Sequence, residues 1–527
     1  MSHERVFSML EWLSPAACAV SMVVLLGAAI LCRAQIAELA RVLTRRQWVA
    51  LAGVLSAALA VRLAVVPATE RLYYDEHTYL QLARGIAEEG RARVAAIGVI
   101  DARGYHCESG SYPHWPSGWP TLLAVFLRLG NYSRWIGPAL NLVLSLAAVV
   151  LVALLAAALV PGRPVWLAAA AIYACFPANQ IWSRTSASEV FAAFGAALAV
   201  LAAVGYARRP DPRLGVFLAA SLALAAQVRN ELVLLLLVCA VFVGCVGGWR
   251  ALRASAWPFA LALVLLLPQA LEIGTLSRAY DPNFTEGSGF GLRYFPANVT
   301  SVAQYLRSDW MVLLCLILAL VGAARIRALW IWIACAVLPP LFYFGGSYGI
   351  PGGERFALGW LPPLAVAAGA GLCVVHSSLS DFIGRRGLIA GWLVVFLGAL
   401  LWTGPRVAVE DRQTEIPRAD CAFLRAALRL VPEGGMVISA DPPVVIAEGR
   451  SSTFLPWVGR DPGELAELAA RYRDRLYYFA APSSAPAQWP EGTEAERRIL
   501  SFFRPEVVAR ETAPAGARVL YRLRSTE

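Results

Sequence analysis

The sequence predicts an α-helical polytopic membrane protein that ends in a small α/β domain. Three observations lead to that expectation. Apolar residues make up 58% of the 527-residue chain and charged residues only 16%, against roughly a quarter charged in ordinary soluble domains. About twelve apolar stretches approach the ~20 residues that a bilayer core requires. They lie at 13–32, 48–66, 134–160, 164–178, 188–206, 212–227, 230–247, 256–273, 309–324, 328–345, 356–375 and 388–404. Beyond residue 404 the pattern changes to short helical and strand-like segments in alternation, which is the signature of a packed α/β unit.

The basic residues orient the spans. Arg33, Arg41, Arg45 and Arg46 place the first loop in the cytoplasm. Alternate loops then carry Arg163, the group Arg208, Arg209 and Arg213, the pair Arg250 and Arg253, the pair Arg325 and Arg327, and finally Arg385 and Arg386. Both termini are therefore expected outside the cytoplasm. The first span has no convincing cleavage site and reads as an anchor rather than a signal peptide. The chain divides into an anchor and cytoplasmic loop at 1–47, a membrane domain at 48–404 with a long first outer loop at 67–133, and an extracytoplasmic α/β domain at 405–527.

All 46 basic residues are Arg, so chemistry that depends on Lys, such as a P-loop or a Schiff base, is excluded. From Pro405 onward there are 17 Arg and 17 acids, which leaves 29 Arg and 19 acids to account for the +10 net charge in the membrane part. That excess is a topology signal and not a nucleic-acid footprint. Eight of the ten cysteines fall in apolar spans as small fillers, while Cys107 and Cys421 lie outside them and could form a disulfide. No CxxC or zinc spacing occurs. Many of the 17 Trp, including Trp115, Trp119, Trp135, Trp182, Trp310 and Trp360, sit at expected interfaces as an aromatic belt.

In the first outer loop, Tyr79, Leu80, Leu82, Ala83, Ile86 and Ala87 recur at helical spacing opposite Arg84, Glu88 and Glu89. This predicts an interfacial amphipathic helix, and Asp75-Glu76 falls in its first turn. Carboxylates so close to a bilayer are costly without a function, and a helix N-terminus favours the anion that accepts a proton. Capping alone is the plainer explanation. His77, His106 and His114 cluster in this loop with Cys107 and Glu108, a composition that suits a divalent ion but matches no zinc pattern. No cofactor is required by the sequence beyond that candidate. In the tail, helices are expected at 421–430, 463–472 and 494–503, strands at 436–439, 476–479, 507–510 and 519–523, and a turn at Asp441-Pro442-Pro443. No GxGxxG fingerprint occurs there, so no nucleotide site is assigned.

Four stretches, in this order, resemble the GT-C integral-membrane glycosyltransferases of the family 39 type, which includes protein O-mannosyltransferases, aminoarabinose transferases and their bacterial relatives. They are Tyr73-Tyr74-Asp75-Glu76-His77 with Tyr79, His114-Trp115-Pro116-Ser117-Gly118-Trp119-Pro120, Ser183-Arg184 with Ser188-Glu189, and Glu354-Arg355-Phe356 with Pro362-Pro363. The resemblance covers roughly Ala50 to Val375. It implies an inverting transfer of sugar from a polyprenyl-phosphate donor to a lipid, glycan or protein acceptor outside the cytoplasm, in a bacterium at the inner membrane. Carried over by position, Asp75 is the general base, Glu76 its helper or a metal ligand, and Glu189 a second acid that orients the acceptor or completes a metal site. Arg134 matches an Arg in the family's pattern. Arg355, Arg184 and Arg229 also fall at outer turns, where forked guanidinium groups suit a lipid phosphate. Glu231, beside Arg229, is expected in a local ion pair.

Two other functions fit a polytopic chain. A transporter or flippase of a lipid-linked glycan would place its charges near the bilayer midplane, often with repeat symmetry; here they gather at one face and no repeat is visible. An O-antigen ligase or similar envelope enzyme would use a large late outer loop, whereas the acidic loop here comes early.

Overall fold

The structure, a computed structural model, describes residues 3–113, 115–276, 290–322, 326–343, 345–349, 352–383, 385–460, 462–482 and 490–525. Hydrocarbon offers no hydrogen-bond partners, so the apolar stretches satisfy their own backbones as helices. The chain opens with α1 (His3–Leu31), α2 (Arg33–Ala40) and α3 (Arg45–Val65). The loop expected on the outer side holds α4 (Tyr73–Glu89), β1 (Val94–Asp101), β2 (Gly104–Ser111) and α5 (Gly118–Leu129). The bundle continues through α6 (Ile136–Leu159), α7 (Val165–Cys175), α8 (Pro177–Trp182), α9 (Glu189–Arg208), α10 (Pro212–Val228) and α11 (Leu235–Ala254). Next come α12 (Ala256–Leu265), α13 (Leu267–Leu276), α14 (Phe295–Ser308), α15 (Trp310–Gly322), α16 (Ala328–Leu341), α17 (Leu361–Ile383) and α18 (Arg385–Gln413).

Each of the twelve apolar stretches falls on helix, but not every one spans alone. Among the described residues seven helices are long and apolar enough to cross a bilayer, or up to nine if two bent pairs each count as one span. The shortfall has a physical cause. With 11 residues, α7 is only about 17 Å long; Pro177 ends its register and opens α8. Such a short helix lies inside the protein, with eight of the 11 residues of α7 buried, and so does one of the full-length helices. Ala-rich α9 is buried over 89% of its apolar window, whereas α3 and α18 are buried over 17% and turn mainly to lipid. Small residues permit that close approach: a Cβ on Gly195 of α9 would lie 3.2 Å from the Ala225 Cβ of α10. The sharpest break, 97° between α14 and α15, falls at Asp309, whose Oδ1 accepts from the N–H of Met311 and Val312 at 3.1 and 3.3 Å.

The expected first-loop helix is present but does not lie open on the membrane. Leu82 and Ala83 are fully buried, because α4 is enclosed by α5, β2 and a tail helix. It ends at Gly90, whose φ of +71° closes the last turn with an N–H to the Ile86 carbonyl.

The tail comprises α19 (Glu415–Ala427), β3 (Met436–Ser439), α20 (Pro442–Ala447), β4 (Ser451–Phe454), α21 (Leu455–Arg460), α22 (Pro462–Tyr472), β5 (Leu476–Ala480), α23 (Pro490–Phe502), β6 (Phe503–Ala513) and β7 (Gly516–Ser525). Every expected tail helix and strand is present. The expected Asp441-Pro442-Pro443 turn is instead the start of α20, with Pro in its first turn. One seven-stranded sheet runs in the order β2-β1-β4-β3-β5-β7-β6. Its first two strands come from the outer loop, where β1 pairs antiparallel with β4 at Ile97↔Thr453 and Gly98↔Ser452. The sheet thus joins residues from both sides of the expected boundary at 404/405, and α18 runs through that boundary without a break. Through α20 the sheet rests on α4, at the end of the bundle that carries Asp75.

Asp441 ends the connection out of β3. The residue is 7% exposed, and burial pushes its carboxyl up to about 7 from 3.8. The unfolded chain ionises this group first, so its contribution to folded stability falls as pH rises from about 4 to 7 and stays low above that range, by up to about 4 kcal/mol. Thermal unfolding in detergent between pH 5 and 8 should show this decline, and Asp441→Asn should flatten it. An identical pH dependence in the variant would remove Asp441 as the cause.

Candidate active site

The site assembles where three connections meet above the buried helices. The first is the opening turn of α4, which carries Asp75. The second is the 183–188 loop, which leads into Glu189 at the start of α9. The third is a 3-10 turn, Gly353–Gly359, which carries Arg355.

Each connection is held by specific contacts. Gly352 has a φ of +75°, and a Cβ there would come 2.5 Å from Leu72 Cδ2, so the third turn requires glycine. The loop before Glu189 is fixed from three directions. Trp119 Nε1 donates to the Ser186 carbonyl at 2.7 Å, Asn141 Nδ2 donates to the carbonyls of Thr185 and Ala187 at 2.8 and 2.7 Å, and the Ser186 N–H donates to Glu76. Tyr79 and Ser188 join hydroxyls at 3.1 Å.

Arg355 then bridges two carboxylates. Its Nη1 lies 2.9 Å from Asp75 Oδ2 and its Nε 3.2 Å from Glu189 Oε1. Arg229, after α10, pairs with the same Glu189 oxygen at 2.5 Å and with Glu231. Both guanidinium groups lie over the Phe356 ring, 5.2 and 5.5 Å from its centroid. The result is an alternating chain, Asp75–Arg355–Glu189–Arg229–Glu231. The side chain of its central Glu189 is 5% exposed and those of its two ends are 24% and 25% exposed, so the chain opens to solvent at both extremities. Glu189 Oε2 is buried without a hydrogen-bond partner among the described residues. Forks of this kind suit planar oxyanions, and the partly exposed Asp75 suits proton transfer.

The other candidate residues lie elsewhere. Glu76, expected beside Asp75 as helper or metal ligand, turns inward and is 1% exposed. Its Oε1 accepts from the N–H groups of Arg71 and Leu72 at 2.7 and 2.9 Å, and its Oε2 from the Ser186 N–H at 2.7 Å. Those bonds leave it stapling α4 to the 183–188 loop; burial pushes its carboxyl up to about 7 against the pull of the three donors. Arg134 joins a second set of charges under the tail: it faces Glu448 at 3.8 Å, and Arg425 links Glu448 to Glu70. Arg184 donates to the Val66 carbonyl at 3.4 Å and has no carboxylate partner among the described residues.

His77 and His106 do not converge. His77 is buried with Nε2 3.9 Å from Cys421 Sγ, His106 on β2 faces Glu108 at 3.6 Å, and His114 lies outside the described residues. Among the described residues no group of three His, Cys, Asp or Glu is arranged to hold a metal ion. Cys107 and Cys421 are both free thiols. Cys107 packs with Tyr105 and Ile446, whereas Cys421 belongs to a separate apolar cluster under the sheet, so the disulfide that the sequence left open is not formed. Sequence reasoning gave Glu354 no role beyond its place in the Glu354-Arg355-Phe356 stretch and did not find its partner Arg406, with which it forms a largely shielded pair beside the site; the adjacency of Glu354 to Arg355 was the available signal.

The Glu76 staple has a measurable consequence. Glu76→Ala leaves three N–H groups without an acceptor, a loss of about 3 kcal/mol or more if even two remain dry. A lowered melting temperature in detergent is expected for the alanine variant, and a smaller decrease for Glu76→Gln, which keeps one oxygen. An unchanged melt for Glu76→Ala would show that water replaces the lost acceptor.

No protein-family model matches the sequence, and no curated protein does either. Solved structures do match. The oligosaccharyltransferase of Archaeoglobus fulgidus in its apo form aligns with a TM-score of 0.51 at 13% identity, over 90% of this chain and 74% of that one. ArnT from Cupriavidus metallidurans in the apo state aligns with a TM-score of 0.59 at 14% identity, over 90% of this chain and 97% of that one. The same ArnT bound to undecaprenyl phosphate aligns with a TM-score of 0.59 at 14% identity, over 91% and 98%. These alignments cover most of each chain, and the chain has the fold of the GT-C membrane glycosyltransferases.

Proposed function

We propose that the protein is an inverting glycosyltransferase that moves a sugar from a polyprenyl-phosphate donor to a lipid, glycan or protein acceptor on the extracytoplasmic face of the cell membrane. The observation that carries this reading is the Arg355 bridge between Asp75 and Glu189, which sets a proton acceptor beside a fork suited to phosphate.

In the proposed reaction the acceptor hydroxyl attacks C1 of the sugar from the face opposite the phosphate. Its proton passes to Asp75, the new C1–O bond forms, and the bond from C1 to the phosphate oxygen breaks. The electron pair leaves on polyprenyl phosphate, which Arg355 stabilises, with Arg229 and Arg184 as the other candidate forks. Glu189 holds both guanidinium groups in place. An arriving phosphate competes with Asp75 for Arg355 and so releases the carboxylate to act as base. Support for the donor class comes from the ArnT neighbour bound to undecaprenyl phosphate. The alternating Arg loops support an outer location for the site.

Membranes carrying wild type or Asp75→Asn, assayed with a panel of polyprenyl-phosphate sugars, test the reading. A loss of about 10²–10⁴-fold in transfer is expected for the variant, with polyprenyl-phosphate binding retained. Full transfer by Asp75→Asn would sink the base assignment, and no transfer by wild type across the panel would sink the function. A periplasmic reporter fused after Glu527 should be active; a silent fusion overturns the sidedness.

A further inference from the structure

Helix α18 reaches the site from outside it. Near its end Arg406, 13% exposed in its side chain, pairs with Glu354, 3% exposed. Glu354 immediately precedes Arg355 in the same short turn, Gly353–Gly359. Arg406 also lies 3.4 Å from Ser308 Oγ, in surroundings shared with buried Asp309 and Glu410 and with the Tyr305 hydroxyl, which has no hydrogen-bond partner among the described residues. One turn further along α18, Asp411 faces the fully buried Arg71 side chain at 3.6 Å, and the Arg71 N–H is one of the donors to Glu76. One helix end therefore contacts both the turn that carries Arg355 and the segment that leads into Asp75.

We propose that Arg406 is a positioning residue that sets Arg355 through Glu354, and that α18 thereby ties the site to the tail domain. The inference rests on the reading of function above and assigns the tail a part in it. The physical basis is the low exposure of the pair. A buried guanidinium and carboxylate hold each other firmly, because separating them strands a charge in a medium of low dielectric. Arg355 must place two of its nitrogens on two different carboxylates, so a small rotation of its turn breaks one contact or the other. Misplacement of about 1 Å can lower turnover by about 10²-fold. Beyond Arg406 the helix runs to Gln413, and α19 begins at Glu415 under the sheet. A shift of the tail on acceptor binding would reach Arg355 through this strut.

The test is a double-mutant cycle on transfer by the full-length protein in detergent or membranes. Arg406→Ala, Arg406→Lys and Glu354→Gln are each made alone and in an Arg355→Gln background. Arg406→Ala is expected to lower kcat about 10–100-fold with the acceptor KM little changed, and Arg406→Lys to recover part of the loss. In the Arg355→Gln background Arg406→Ala should have no further effect, because its target is already gone. Multiplying losses in that background would overturn the inference, since a general structural role does not depend on Arg355. Where Arg406→Ala fails to fold, the same cycle is read from Arg406→Lys and Glu354→Gln. Wild-type transfer that every Arg406 and Glu354 variant keeps at full rate removes the inference alone; absence of wild-type transfer removes the reading of function and the inference with it.

Discussion

One guanidinium shared by two carboxylates holds the upper part of this protein together. Asp75 comes from the first outer loop, Glu189 from the start of an interior helix and Arg355 from a turn late in the bundle. At the edge of a bilayer an unpaired charge is expensive, so each of the three segments is held in place by the other two. The surrounding hydrogen bonds serve that geometry. Trp119, Asn141 and Glu76 all secure the loop that ends at Glu189. Beneath them, fully buried Ala-rich helices provide a floor with little room to yield.

Much of this arrangement could be read from the residues. Hydropathy locates the membrane helices because a spanning segment has to be apolar along its length. Asp75, Glu189, Arg229 and Arg355 were all placed at outer turns by the alternation of Arg loops, and the structure brings the four into one chain of ion pairs. Adjacent residues of a helix point about 100° apart, so of the acidic pair Asp75-Glu76 only one member can face the opening. Which member does so depends on the loop that docks beside it, and that contact spans 110 residues between Glu76 and Ser186. Nothing local encodes it.

The sheet shows the same limit. Strands of four residues such as Ser451–Phe454, and the polar stretch Gly104–Ser111, carry little β signal of their own. They are strands because β1 has an open edge to join: the Ser451 hydroxyl accepts from the Ile100 N–H at 2.9 Å, across 351 residues. Arg134 was misplaced for a related reason. It lies just before α6, where the sequence puts the start of a span, but the tail presents Glu448 to it, a partner that the membrane part alone could not disclose. Tail and outer loop therefore form one layer, which explains why a boundary drawn from composition at residue 404 cuts through a continuous helix.

The charge balance of the ion-pair chain bears on how the proposed reaction would proceed. Three acids, Asp75, Glu189 and Glu231, face two arginines, Arg355 and Arg229, so the set carries one net negative charge when all are ionised. A donor phosphodiester adds another, and in this geometry it has to share Arg355 with Asp75. During the displacement Asp75 accepts a proton and loses its charge, while the departing phosphate gains one. The local total does not change; one negative charge moves from one side of Arg355 to the other. A fork placed between base and leaving group therefore faces the same total negative charge throughout the step and can stay in place while that charge passes from the carboxylate side to the phosphate side. Such a site needs little reorganisation at the moment of reaction, which is the condition under which fixed charges lower a barrier most. The same reasoning makes the placement of Arg355, rather than the number of arginines nearby, the property on which turnover depends.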